Sequence, residues 1–268
     1  MHRVLGHAIY ALSALLGVAA FAYPFFTSAG AATPGGLGHG QDALLVTTAL
    51  VGLSLVALLV ELQGQSINAK TVAMLGVLVA IASALRFIEV AIPLPGGFSP
   101  IFAPIILAGY VFGGRFGFLM GAFTLLASAL ITGGVGPWLP YQMFTAGWVG
   151  MTAGWLARMM HRPAHVSRWH VLSLCGFGFA WGLLYGLIIN LYFWPFAAGP
   201  GGQSWAPDIG LGALLARYGA FYVATSLVWD IARAAGNAAL IWLLGEPVIK
   251  ALARFQRRFH FEVHSVYA

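Results

Sequence analysis

The stretch from Thr71 to Ile92 reads TVAMLGVLVAIASALRFIEVAI, and it decides the class of fold. At 1.5 Å per residue, an apolar helix of this length crosses the hydrocarbon core of a bilayer, which is about 30 Å thick. The run from Pro93 to Gly97 then ends the helix, because proline removes a backbone donor and glycine loosens the chain. Arg86 and Glu89 stand three residues apart on one face of this apolar helix. We interpret the stretch as a transmembrane helix that carries functional polar groups near one end.

The rest of the chain has the same apolar character. Of its 268 residues, 60% are hydrophobic and 7% are charged, whereas soluble domains average about 25% charged residues. The pattern predicts an all-α, polytopic membrane protein with about eight transmembrane helices. The other apolar segments run from Val4 to Phe26, Ala43 to Val60, Ile101 to Phe112, Phe116 to Thr132, Tyr141 to Leu156, Val171 to Trp194, and from just after Gly212 to near Leu244.

The basic residues predict the orientation of the chain. Cytoplasmic loops are enriched in lysine and arginine, so we interpret the net charge of +6 as a loop bias and predict no nucleic-acid partner. With a cytoplasmic amino terminus, the outer side keeps only Arg217, and the carboxyl terminus is also cytoplasmic. The inner side then holds Arg3, Lys70, Arg115, Arg158, Arg162, Arg168, Lys250, Arg254, Arg257 and Arg258.

The amino terminus allows two interpretations. A basic start, an apolar run and Ala29-Gly30-Ala31 are typical of a cleaved signal peptide. The apolar run is longer than a signal peptide needs, which favours a retained helix.

Two ladders of small residues recur every four positions, a spacing that lets membrane helices approach closely. The first comprises Gly109, Gly113, Gly117 and Gly121; we predict that Gly113-Gly114 forms a turn and that Gly117 and Gly121 pack against a helix. The second comprises Gly76, Ala80 and Ala84. It predicts either packing within the chain or a docking face for another membrane subunit.

Charged side chains inside the membrane are costly and usually functional. Arg86 and Glu89 could pair, and we favour them as contacts for a ligand that enters from outside. A polar stripe on the last segment cannot face lipid, and within it Asp230 and Arg233 either bind a ligand or fix the helix register as an ion pair. The stripe consists of Ser226, Asp230, Arg233 and Asn237.

Aromatic and amide residues gather at the same outer ends. Tyr141 and Tyr192 are typical interfacial anchors, but Gln142 and Asn190 are not, and amides in such positions orient polar ligands. We therefore add these four residues to the predicted substrate site.

Catalytic and metal-binding motifs are weak. His161 and His165 lie in a basic connector, are separated by Pro163 and lack the glutamate of a zinc protease, so we predict a solvated loop there and no metal or cofactor. The chain also lacks a phosphate-binding Gly-Lys-Ser/Thr motif, so it cannot power transport itself.

Several motifs are spread over about residues 70 to 260. They are Ala84-Leu-Arg-Phe, Pro95-Gly-Gly-Phe-Ser-Pro-Ile-Phe-Ala-Pro, Ala108-Gly-Tyr-Val-Phe-Gly-Gly-Arg-Phe-Gly, Gly121-Ala, Leu130-Ile-Thr-Gly-Gly-Val-Gly-Pro-Trp-Leu-Pro-Tyr-Gln-Met and Trp229-Asp-Ile-Ala-Arg-Ala-Ala-Gly-Asn. Together they resemble the substrate-binding S component of energy-coupling factor (ECF) transporters.

The resemblance implies a subunit of the cell membrane that captures a vitamin or similar micronutrient on its outer side. It implies three partner chains, a transmembrane coupling subunit and two ATPase subunits, and it makes Gly76, Ala80 and Ala84 the coupling interface. The subtype looks most like the components for cobalamin or related corrinoids. The implied organisation is an extra helix pair (1–68), a six-helix substrate-binding core (69–248) and a basic cytoplasmic tail (249–268).

Alternatives from other classes stay open. An integral-membrane enzyme acting on a lipid would use Glu89 or Asp230 as a general base, but the sequence offers no recognisable catalytic set around either. A secondary transporter driven through Asp230 and a purely structural subunit are weaker alternatives.

Overall fold

The computed structural model describes residues 11–12, 14–22, 25, 49, 69–92, 98–160, 167–197, 203–206 and 209–258. Within this part the chain is helical and contains no strand, which confirms the all-α prediction. The helices are α1 (Ala69–Ala91), α2 (Phe102–Phe112), α3 (Gly114–Thr132), α4 (Leu139–Met159), α5 (Arg168–Phe193), α6 (Leu211–Thr225) and α7 (Leu227–Arg258), with a short 3₁₀ helix at Trp194–Phe196.

Four helical stretches are long and apolar enough to cross a membrane. They are Lys70–Ala91, Gly114–Thr132, Arg168–Phe196 and Leu227–Arg257, and α2 is a shorter apolar helix. The second predicted segment, Ala43 to Val60, lies outside the described residues except for residue 49. The number of eight spans therefore stays a prediction.

Glycines bring α2, α3 and α4 into backbone contact at the centre of the molecule. A Cβ atom at Gly117 would lie 2.2 Å from the Gly150 carbonyl oxygen, and one at Gly109 would lie 2.1 Å from the same atom. A Cβ at Gly121 would lie 2.1 Å from the carbonyl oxygen of Ala146. The first small-residue ladder is confirmed as a packing surface.

Gly113 forms the turn between α2 and α3, as its sequence context predicts. Its φ of 100° lies in a region that side-chain-bearing residues rarely adopt. Because α3 starts directly after it, at Gly114, the two helices are connected by this single residue.

The last predicted segment is wrong in two respects. It is broken at Ser226, where φ is −131° and ψ is −24°, so Ser226 caps α6 and does not lie inside the last helix. Thr225 donates a hydrogen bond of 2.8 Å to the Phe221 carbonyl, a back-bonding contact that bends helices. The final helix also continues past Leu244 to Arg258, since Ile249 and Leu252 are buried against the core.

The amino-terminal segment, residues 11–12 and 14–22, is helical and packs on α4. A Cβ at Gly17 would lie 2.8 Å from ring atoms of both Phe144 and Trp148, and the Phe21 ring is 4.9 Å from that of Tyr141. Phe21 is buried. Whether this helix is retained or removed as a signal peptide stays a prediction, and the cleavage motif at residues 29–31 lies outside the described residues.

Candidate functional site

The two pairs of intramembrane charges form one cluster around Tyr185. Arg86 and Glu89 come from α1, Asp230 and Arg233 come from α7, and the buried Tyr185 of α5 is close enough to interact electrostatically with all four. Glu89 interacts with both Arg86 and Arg233. We call these five residues the charge cluster. All four charged residues belong to the substrate site predicted from the sequence, which leaves open whether Asp230 and Arg233 bind the ligand or only pair with each other.

Arg233 is held on several sides. Its guanidinium pairs with Asp230, and its Nη1 donates a hydrogen bond of 3.3 Å to the Gly182 carbonyl. The guanidinium carbon lies 5.1 Å from the centre of the Tyr185 ring and 5.8 Å from that of Phe102. Each cation–π contact contributes roughly 0.5 to 2 kcal/mol, the higher value applying where water is excluded. Arg233 is thereby fixed at the junction of α2, α5 and α7.

Asp230 fills a notch in α5. Its side chain is 1% exposed, and a Cβ at Gly186 would lie 1.8 Å from its Oδ2 atom. The carboxylate thus rests on bare glycine backbone, which leaves no space for a ligand between them. The contacts favour the interpretation that Asp230 and Arg233 fix the packing of α7 on α5.

Helices α5 and α7 also approach each other closely on the amino-terminal side of Gly186 in α5. A Cβ at Gly182 would lie 2.3 Å from the Cα of Ala234, and Asn237 donates a hydrogen bond of 3.2 Å to the Gly178 carbonyl. Gly178, Gly182 and Gly186 therefore form a third small-residue ladder. This ladder was not predicted, although its glycines have the same four-residue spacing as the other two ladders.

Arg86 and Glu89 do not form the direct pair that their spacing suggested. Among the described residues, Glu89 Oε2 instead accepts a hydrogen bond of 2.6 Å from the Ser99 hydroxyl. Arg86 interacts with Glu89 only at longer range and makes no hydrogen bond within the described part of the chain. Both side chains are half-buried. They differ in this from Asp230 and Arg233, which are bonded to each other, although Asp230 Oδ2 and Arg233 Nε make no hydrogen bond to another described residue.

Tyr141 and Tyr192 meet each other. Their rings stack with centres 4.1 Å apart, and both side chains are buried. Phe21 of the amino-terminal segment packs edge-on against Tyr141. Tyr192 lies two turns from Tyr185 on the same face of α5. The two predicted tyrosines thus form an aromatic wall next to the charge cluster.

The two predicted amides are placed differently. Asn190 donates a hydrogen bond of 2.6 Å to the Ser226 hydroxyl and so ties α5 to the break between α6 and α7. Gln142 is half-buried near the start of α4, with no side-chain hydrogen bond to another described residue.

Tyr185 and Phe102 were not predicted as members of the site. Ser99 lies in the loop from Pro93 to Pro100, which the family resemblance predicts to cover the substrate, but its contact with Glu89 was not predicted. A tyrosine or phenylalanine within an apolar helix carries no sequence signal that separates a site residue from a core residue. Ser99 lies in a proline- and glycine-rich connector, where serine is expected for its turn chemistry alone. Only the fold places these residues beside the charges.

The second ladder lies on an exposed face of α1. Gly76, Ala80 and Ala84 are all exposed, and a Cβ at Gly76 would meet nothing within 4 Å in the described structure. Leu75 and Ala82 are buried on the opposite side of the helix. In the described part of the chain, this ladder is not used for internal packing.

These features define a helical membrane protein with a polar cluster enclosed by three helices. In the described residues, no group of three or more histidine, cysteine, aspartate or glutamate side chains could hold a metal ion. The family model described as "ECF transporter, substrate-specific component" matches residues 70–245, well over half of the chain. The chain belongs to this family and is a substrate-binding subunit of an ECF-type transporter. No curated protein and no solved structure matched it.

Proposed function

We propose that this subunit captures a vitamin or similar micronutrient from the outer face of the cell membrane. It delivers the solute through a coupling subunit in the membrane, with two ATPase subunits supplying the energy. The observation that carries the proposal is that the charge cluster lies wholly within the part of the chain that matches the family.

The position of the basic residues supports capture from outside. Arg115 and Arg158 lie next to Gly114 and near Gly154, which are in backbone contact, and Arg168 is close enough to Glu246 to interact with it. The basic ends of α3, α4, α5 and α7 thus gather at one end of the bundle. Arg86 and Glu89 lie near the other end of α1, where the positive-inside rule predicts the outer face.

We assign different roles to the members of the site. Arg86 and Glu89 are the polar ligand contacts, since they are not bonded to each other, whereas Asp230 and Arg233 form an ion pair. Asp230 and Arg233 support them, and the surrounding wall consists of Tyr141, Gln142, Asn190 and Tyr192. The cluster contains two positive and two negative side chains, so its formal net charge is zero. A bulky and largely neutral ligand needs no opposite net charge in the site. Cobalamin or a related corrinoid is the first ligand to test.

The exposed ladder on α1 supplies the docking face for the coupling subunit. Small residues let helices of two chains approach as closely as helices of one. Gly76, Ala80 and Ala84 fit this role because they lie open on the surface of the described structure.

Mass spectrometry of small molecules that co-purify with the protein tests the proposal. We expect a vitamin to co-purify, to raise the melting temperature when added back, and to be lost from the Glu89→Gln variant. The matched control is Glu246→Gln, which removes an exposed carboxylate further along α7. This variant should keep the ligand. A protein that binds no vitamin in a thermal-shift panel and captures no ATPase subunit would overturn the proposal.

A further inference from the structure

The chain that follows α1 returns to the charge cluster and touches two helices with two adjacent residues. Ser99 is buried and holds Glu89 of α1 through its hydroxyl. The neighbouring Phe98 lays its ring on α7 at Gly236, where a Cβ would lie 2.0 Å from Cδ2 and 2.1 Å from Cε2 of that ring. This segment therefore connects the two helices that carry the four charges.

Gly236 is the feature that makes the second contact possible. It lies three residues after Arg233, inside α7, where glycine is less favourable than alanine by about 1 kcal/mol in a soluble helix. Helix propensity therefore does not explain a glycine at this position. The space taken by the Phe98 ring does, because any side chain at position 236 would occupy it.

We propose that Gly236 is a positioning residue for the substrate site. The Phe98 ring packs on the backbone of Gly236, and this contact fixes the position of the neighbouring Ser99. The Ser99 hydroxyl in turn holds the Glu89 carboxylate toward Arg233. The step from Glu89 to the ligand rests on the proposed function, but the positioning of Glu89 does not. It can be measured without any ligand.

Dicyclohexylcarbodiimide provides this measurement, since it forms covalent adducts with carboxyl groups that it can reach in apolar surroundings. The full-length protein in detergent is treated with the reagent, and the adducts at Glu89 and Asp230 are quantified by peptide mass spectrometry. We expect Gly236→Ala to raise the labelling rate of Glu89 several-fold and to leave that of Asp230 unchanged. Gly176→Ala is the matched control, because a Cβ at this α5 glycine would meet nothing within 4 Å in the described structure.

A second-site change separates positioning from general loosening. Phe98→Leu removes the Cε2 atom that the new methyl group would meet, and its branched end can turn the remaining Cδ atoms away. In the Gly236→Ala background it should therefore return Glu89 labelling toward the wild-type rate. Ser99→Ala alone should raise Glu89 labelling, since it removes the hydroxyl while Phe98 still packs on Gly236. Equal increases at Glu89 and Asp230, unchanged labelling in Gly236→Ala or in Ser99→Ala, or a failure of Phe98→Leu to restore the rate would each overturn the proposal.

Discussion

At the scale of single residues, the charge cluster depends on what is missing at position 186. Gly186 has no side chain, and the Asp230 carboxylate occupies the space that one would fill. Membrane interiors supply no water to solvate a misplaced carboxylate, so its position has to be provided by the protein. The same notch keeps Asp230 beside Arg233 and so keeps Arg233 between its two aromatic rings.

Gly186→Ala should therefore destabilise the protein. The added methyl group collides with the carboxylate, and overpacking of this kind costs about 1–3 kcal/mol. We expect a lower melting temperature in detergent by a fluorescence assay. Gly176→Ala on the same helix has open space around its Cβ in the described structure and should melt at or above the wild-type temperature. Equal melting of the two variants would contradict the notch.

A double-mutant cycle of Asp230→Asn and Arg233→Gln tests the buried pair. Either single change leaves a charge buried without its partner, which costs about 3–5 kcal/mol, so the double variant should be less destabilised than the sum of the singles. The exposed pair of Glu246 and Lys250, with N and O 2.6 Å apart, is the matched control. Chemical unfolding of Glu246→Gln and Lys250→Gln should show nearly additive, small effects. Additive effects at Asp230 and Arg233 would mean that the pair contributes nothing as a unit.

Sequence alone shows which residues are charged but not how they meet. A charge inside an apolar helix is visible because its insertion is costly, and so all four charges of the cluster were found. Their union was not predictable, because it depends on how α1 and α7 rotate about α5. The direct contact predicted between Arg86 and Glu89 failed for a related reason: Ser99, ten residues along the chain from Glu89, reaches that carboxylate.

At the scale of elements, α1 has two faces with different uses. The face with Leu75 and Ala82 is buried, whereas the face with Gly76, Ala80 and Ala84 is open in the described structure. A helix that spans a membrane with small residues exposed along one side leaves a shallow groove there. Such a groove suits contact with another helix better than contact with lipid.

Ala80→Trp should abolish assembly with the coupling and ATPase subunits but leave expression intact. The bulky ring fills the groove without touching the buried face of α1. Ile81→Trp is the control, since Ile81 is 50% exposed and lies about 100° around the helix from Ala80. Affinity purification of the complex from co-expressing cells measures the result. Normal assembly of the Ala80→Trp subunit would remove the ladder from the interface.

Element boundaries were predictable where proline and glycine punctuate the chain, as at Gly113. The break at Ser226 was not, because no proline or glycine marks it; the contacts made there are the back-bonding of Thr225 and a hydrogen bond from Asn190 to Ser226. The continuation of α7 to Arg258 was missed for a different reason. The strongly apolar stretch ends near Leu244, but the chain stays helical to Arg258 as an amphipathic helix. In this part Glu246 pairs with Lys250, and Ile249 is buried.

At the scale of the whole molecule, the basic residues predict which end faces the cytoplasm. A reporter that is active only in the cytoplasm should be active when it is fused to either terminus. The reason is that ten of the thirteen lysines and arginines fall inside in this orientation. A reporter placed in the loop from Gly199 to Gly212 should give the opposite signal. A carboxyl-terminal reporter found outside would overturn the orientation and, with it, capture from the outer face.

The charge cluster has a further consequence, which concerns the membrane potential. A potential of 100 mV does about 2.3 kcal/mol of work on each elementary charge that crosses it. With Arg86 and Arg233 balanced by Glu89 and Asp230, the formal sum over the cluster is zero. A movement that carries all four charges by the same distance through the electric field is then free of net electrical work, so the resting voltage of the cell neither drives nor opposes it. Removing one carboxylate would give the cluster a gating charge.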